Sequence, residues 1–228
     1  MNIFIEGNIG AGKSTLINIL GEKFGDKCVT ATEPVNEWTG LKNENGETLL
    51  ELYYADLKRY SYLFQSVVLR TRVQTFNKCL SSGNHNLGFF ERSIYADRYC
   101  FADNCYKSGL MNNIEFTDYN EWFDWIESTF QLSNKISGFI YLKTDPNVSL
   151  RRINNRHREA ESQIPLDYLI MLNEKHDRLI SNLKETHPIL ILDGNLDFKN
   201  DANIKNDFME KIKIFVEETS KKINYSFN

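Results

Sequence analysis

Gly7, Asn8, Ile9, Gly10, Ala11, Gly12, Lys13 and Ser14 fit the spacing GxxxxGK[ST]. They lie between an apolar run at 2–6 and a stretch at 14–20 whose apolar residues recur at helical spacing. Strand, glycine loop and helix in that order commit the start of the chain to an α/β arrangement, with the loop at the carboxyl end of a strand. Glycines let backbone amides turn inward around phosphate oxygens, and the helix N-terminus adds the positive end of its dipole. Lys13 supplies a point charge to the β/γ-phosphates, Ser14 a magnesium ligand, and Thr15 follows on the first turn. A tight strand-to-helix turn alone would explain the glycines but not Lys13 and Ser14.

Four further short runs read as strands: 28–31, 88–90, 138–142 and 188–192. Their lack of polar alternation indicates burial on both faces, which suggests a parallel sheet. Helical spacing occupies 47–82, 115–131, 145–158, 165–186 and 202–223. The expected fold is an α/β three-layer sandwich, a mainly parallel sheet of about five strands flanked by helices. There is no internal repeat, and Pro34, Pro146, Pro165 and Pro188 all fall at element boundaries, so residues 1–228 are expected to form one domain. Segments 38–48 and 102–118 read as surface loops, and the residues after Lys221 as a frayed tail.

Charge narrows the partners. The 27 basic and 31 acidic residues leave a net charge of -4, so no general positive field favours nucleic acid or an anionic membrane, and any phosphate site is local. No apolar stretch approaches the ~20 residues of a membrane span. The first strand-like run follows Met1 directly, so no targeting segment and a cytoplasmic location are expected. Cys28, Cys79, Cys100 and Cys105 show no CxxC spacing and read as reduced core thiols.

A phosphate loop leaves kinase, motor and GTPase switch open. Against a switch, 77–80 reads Asn-Lys-Cys-Leu and 134–137 reads Asn-Lys-Ile-Ser, neither an NKxD element, and no DxxG occurs. Glu33, before Pro34 and after the run at 28–31, should sit at a strand's carboxyl end, where open α/β sheets place ligands. A carboxylate there could accept a proton from an attacking hydroxyl, or could be a solvated loop glutamate. Glu91, Arg92 and Ser93 repeat the arrangement after 88–90. That acid–base pair suits magnesium and a transferring phosphoryl group, and equally a buried structural ion pair.

The loop GNIGAGKST, then EPVNEW at 33–38, Phe64-Gln65 on a long helical segment and Glu91-Arg92-Ser93 form an ordered set. It resembles the deoxynucleoside kinase family, in its deoxycytidine/deoxyguanosine/deoxyadenosine kinase-like branch. Tyr54, the arginine-rich stretch 151–158 and Ile164 to Leu169 extend the likeness over nearly the whole chain. The resemblance implies transfer of the γ-phosphate of ATP, or of another nucleoside triphosphate, to the 5′-hydroxyl of a deoxynucleoside in nucleotide salvage. Glu33 would be general base, Arg92 would assist at the same oxygen, and Ser14 and Glu91 would share Mg2+. An arginine-rich lid at about 152–164 would bring Arg152, Arg156 and Arg158 to the donor phosphates, with Asp197 and Phe198 near the donor base. Tyr54 and Glu161 would bind the sugar 3′-hydroxyl. Trp38, Phe64 and Phe101 would line the base slot, with Gln65 on the base edge and Val68 one helical turn on.

Arg72 and Asp97 bear on which base enters. An ionised Asp97 accepts from an exocyclic amine, whereas thymine O4 would oppose acceptor to acceptor at a cost of ~1–3 kcal/mol. Thymidine is therefore disfavoured, and a deoxypurine (deoxyguanosine or deoxyadenosine) or deoxycytidine expected. The family also implies a homodimer, for which the Trp122/Trp125 helix and the helix at 47–82 are the candidate faces. A nucleoside monophosphate kinase and a non-catalytic nucleotide-binding switch remain the alternatives.

Overall fold

A computed structural model describes residues 1–81, 86–156 and 164–226, with side chains through Lys222. The chain runs β1 (Asn2–Glu6), α1 (Lys13–Phe24), β2 (Cys28–Ala31), α2 (Val35–Gly40), α3 (Leu49–Ala55), α4 (Leu57–Ser81) and β3 (Leu87–Glu91). It continues through α5 (Ile94–Ala96), a wide π-type turn (Asp97–Ala102), α6 (Asp103–Lys107), α7 (Asn113–Phe130), α8 (Leu132–Lys135) and β4 (Gly138–Lys143). It ends with α9 (Pro146–Asn155), α10 (Leu166–Leu183), β5 (Ile189–Asp193) and α11 (Ala202–Ser226). Among the described residues the five strands form one sheet in the order β2-β3-β1-β4-β5, and every pairing is parallel.

Side-chain alternation assigns each strand residue to a face. Ile3, Ile5, Phe89, Ile140 and Leu142 meet Leu16 and Leu20 of α1 and Phe208, Ile212 and Phe215 of α11. Phe4, Phe90 and Phe139 point the other way, onto Leu69, Val73 and Phe76 of α4 and Tyr119, Phe123 and Ile126 of α7. Both faces are thus covered, which is why the strands read as continuous apolar runs. Each such side chain contributes roughly 1.5–3 kcal/mol by leaving water. Cys28, Cys100 and Cys105 are buried free thiols, and Cys79 is half-buried. Among the described residues no helix is long and apolar enough to cross a membrane.

Two expectations need correction. The helical segment at 47–82 is two helices, because Asp56 leaves helical geometry (φ -143°, ψ 81°) and its carboxylate accepts from the Arg59 amide at 3.0 Å, capping α4. The loops at 38–48 and 102–118 contain the end of α2, all of α6 and the first turns of α7. There the polar residues act as caps: Asn112 accepts from Ile114 and Glu115 amides, while Glu115 reaches back to the Asn112 amide. Helical geometry in the C-terminal helix continues past Lys221 to Ser226.

Candidate active site

The strand order sends β1 to the centre of the sheet, with β3 and β4 on either side, so their carboxyl ends share one edge. At that edge the glycine loop is backbone held against backbone. A Cβ on Gly10 (φ +74°) would lie 2.5 Å from the Ser149 carbonyl oxygen, and one on Gly12 (φ +101°) 2.9 Å from the Phe198 ring. Only glycine fits both positions. Lys13 is buried and curls back, its Nζ donating to the Asn8 carbonyl at 2.9 Å and standing 3.9 Å from Glu91 Oε1. Burial and the nearby Arg92 charge bring its pKa down to about 8, against the pull of Glu33, Glu91 and Glu6.

Glu91, last residue of β3, joins three elements. Its Oε1 accepts from Ser14 Oγ at 2.9 Å, and its Oε2 from the Glu33 amide at 3.3 Å. Glu33 in turn receives Arg92 Nε at 2.8 Å and Arg72 Nη2 at 3.2 Å on one oxygen. Burial pushes the Glu33 carboxyl up, but Arg92, Arg72 and Lys13 outweigh it and hold it well below the usual carboxylate range. Arg72 also spans Asp97, with Nη2 to Oδ1 at 3.0 Å and Nε to Oδ2, and donates Nη1 to the Glu91 carbonyl at 2.8 Å.

Arg92 has left-handed backbone geometry (φ +63°), a strain of roughly 1–3 kcal/mol for a bulky residue. Its amide donates to Ile5 O at 2.9 Å, its Nε pairs with Glu33, and its guanidinium lies 4.4 Å over the Phe101 ring. Nη1 lies 3.0 Å from Nε2 of His176, a fully buried residue of α10. Burial and the Arg92 charge lower the His176 pKa to about 3. Sequence reading passed over this histidine. The available signal was its place in the apolar period of α10, with Leu169, Leu172 and Leu179, where a polar side chain needs a buried partner.

A cleft of about 1250 Å³ runs from the glycine loop to an aromatic end, larger than the ~300–1,000 Å³ typical of a single small-molecule pocket. At the aromatic end it is lined by Trp38, Tyr54, Phe64, Gln65, Val68, Arg72, Asp97 and Phe101, so the candidate acceptor residues within the described set converge. Trp38 is fixed by Nε1 donating to Thr71 Oγ1 at 3.1 Å and by an edge contact with Phe64, ring centroids 5.5 Å apart. Tyr53, not anticipated, stacks on Phe64 at 4.2 Å, and it and Tyr168 complete the wall.

At the other end stand Arg151, Arg152, Arg156, Asp197 and Phe198. Arg152 binds carbonyls: Nη1 donates to Ala11 O at 3.2 Å and Gly194 O at 2.7 Å, Nη2 to Leu196 O at 3.3 Å. Phe198 stacks on Phe208 at 5.2 Å and faces Gly12, while the Asp197 carboxylate accepts from Asn200. Arg158 and Glu161, and most of the anticipated lid, lie outside the described residues.

A phosphate loop at the head of a parallel sheet, opening onto a cleft with room for two ligands and a carboxylate between two guanidiniums, defines a P-loop phosphotransferase. The family model described as "Deoxynucleoside kinase" matches residues 3–217, and the chain belongs to that family. Among curated relatives it is 38% identical to "Deoxycytidine kinase 2" of Gallus gallus, over 94% of this chain and 89% of that one. It is 37% identical to "Deoxycytidine kinase" of Homo sapiens (94% and 90%), and 31% identical to "Deoxyguanosine kinase, mitochondrial" of Xenopus laevis (93% and 88%). The chain is accordingly a deoxynucleoside-phosphorylating enzyme.

Proposed function

We propose that residues 1–228 form one kinase domain that transfers the γ-phosphate of ATP to the 5′-hydroxyl of a deoxynucleoside with an exocyclic amine, in cytoplasmic nucleotide salvage. The observation that carries this is the single cleft with the glycine loop at one end, the aromatic slot at the other, and Glu33 with Arg92 between them. Glu33 takes the proton of the attacking hydroxyl. Its low pKa suits a loose transition state, in which the hydroxyl gives up its proton late and the base must be ionised and in place. Arg92 and Lys13 stabilise charge on the transferring group, and Arg156 and Arg158 close on the donor phosphates. Tyr54 and Glu161 take the 3′-hydroxyl, and Phe198 with Asp197 borders the donor base.

Ser14 Oγ and Glu91 Oε1, two hard oxygens 2.9 Å apart beside the loop, fit magnesium. Ser14 and Glu91 would hold such an ion beside the donor phosphates, where it would supply neutralisation of developing charge.

For the base, Asp97 held by Arg72 accepts from an amine and disfavours thymidine. We rank deoxycytidine first and the deoxypurines next, a ranking supported by 38% identity to a deoxycytidine kinase against 31% to a deoxyguanosine kinase. We also propose a homodimer through α4 and α7. The test is ADP formation from Mg·ATP with each of four deoxynucleosides and each monophosphate. Turnover with deoxycytidine or a deoxypurine well above thymidine is expected. Turnover only with monophosphates, or none, overturns the proposal.

A further inference from the structure

His176 sits behind the reacting groups, on an element that the phosphate-loop chemistry does not otherwise use. Its Nδ1 is 2.7 Å from the Leu172 carbonyl oxygen, which can only accept, so the ring proton is on Nδ1. Nε2 therefore carries a lone pair, and the Arg92 Nη1–H donates to it at 3.0 Å. A cationic ring could not accept and would repel Arg92. The Phe101 ring lies edge-on to His176 with centroids 5.9 Å apart and takes the Arg92 guanidinium on its face. Three groups thus hold the guanidinium: Glu33 at Nε, His176 at Nη1 and Phe101 beneath. Among the described residues Nη2 has no hydrogen bond.

We propose that His176 is a positioning residue for phosphoryl transfer, a neutral acceptor that fixes the plane of the Arg92 guanidinium and leaves Nη2 for the transferring group. The arrangement answers a specific difficulty. Glu33 is the charged partner that orients Arg92, yet as general base it loses that charge when it takes the hydroxyl proton. The ion pair weakens as the proton crosses late in the step, while Arg92 still has to hold the transferred phosphoryl group. The contact with His176 does not depend on that proton, so the guanidinium stays in place through the step. The inference rests on the proposed action of Arg92.

Full-length His176→Gln, His176→Asn and His176→Phe are compared for kcat, KM of both substrates and thermal midpoint. Glutamine can place an amide oxygen near the Nε2 position, whereas asparagine reaches only to Nδ1 and phenylalanine keeps the ring without an acceptor. The Gln variant should retain kcat within about threefold, while Asn and Phe lose about 10–100-fold in kcat with deoxynucleoside KM within about threefold. In an Arg92→Ala background, His176→Phe should add less than about twofold, since there is no guanidinium left to position. Unchanged kcat per folded molecule in Asn and Phe, equal losses in Gln and Asn, or full additivity with Arg92→Ala overturns the inference. Should His176→Phe fail to fold, Gln against Asn decides. If Arg92→Ala itself keeps wild-type kcat, it is the reading of Arg92 that fails.

Discussion

A histidine buried beside a guanidinium marks the pH dependence of folding. In the unfolded chain His176 titrates near 6.5, and in the folded protein only near 3. Between those values the unfolded chain binds a proton that the folded one refuses. Stability from this group is therefore complete above about pH 6.5 and falls as pH drops toward 3, by up to about 1.4 kcal/mol per unit. Denaturant unfolding from about pH 7 down to about pH 4 should show a shallower slope for His176→Gln than for wild type; parallel slopes would show the ring to be protonated in the fold. Glu33 is the second residue-scale test. Glu33→Gln keeps an oxygen for Arg92 but cannot take a proton, so kcat should fall ~10²–10⁴-fold while donor nucleotide still binds, and near-normal turnover removes Glu33 as base. Lys13 and Ser14 were legible in the spacing of the glycine loop, whereas Glu33, Glu91 and Arg92 stood out only as strand-end residues with open alternatives until the family resemblance singled them out; all five line the cleft. His176 and Tyr53 were not legible. A histidine inside an apolar period and one of two adjacent tyrosines acquire meaning only when α10 and α3 are packed against the cleft.

At the scale of elements, Arg152 carries the clearest consequence. As a member of an arginine-rich stretch it reads as a phosphate ligand, but its guanidinium joins α9 to the glycine loop through Ala11 and to the turn after β5 through Gly194 and Leu196. It thereby holds two walls of the donor end at a fixed separation. Arg152→Met removes three charge-assisted hydrogen bonds to carbonyls, so the KM for donor nucleotide should rise about tenfold or more while deoxynucleoside KM changes little. A KM change confined to the deoxynucleoside would place Arg152 elsewhere in the mechanism. Periodicity located every strand and the long helices, since burial on both faces leaves a plain signature. It missed the break at Asp56, because an aspartate that caps a helix and one that sits in a loop look alike until the backbone direction is known, and the helices within 94–107, which are too short to show a period and start without a side-chain cap.

For the whole molecule, the parallel sheet was foreseeable, whereas the crossing of β1 by the β3-to-β4 connection, which brings Glu33, Glu91 and the glycine loop to one edge, is a property of topology that no local pattern encodes. The surface adds what the core does not explain. α7 buries Tyr119, Phe123 and Ile126 yet leaves Trp122 and Trp125 52% and 54% exposed, in edge contact with each other at 5.6 Å. Ile114 of the same helix and Leu63 of α4 are exposed as well. Large apolar side chains clustered on two neighbouring helices cost free energy in water, and a two-fold axis lets the same face cover itself. Light scattering should therefore give twice the 26.6 kDa of the chain. Replacing both tryptophans (Trp122→Glu with Trp125→Glu) should return the mass to 26.6 kDa, because carboxylates brought face to face across the axis repel without partners. These side chains do not line the cleft, so the monomeric variant should bind nucleotide as the wild type does. A wild-type protein that scatters as a monomer overturns the dimer, and a double variant that stays dimeric moves the interface off α7.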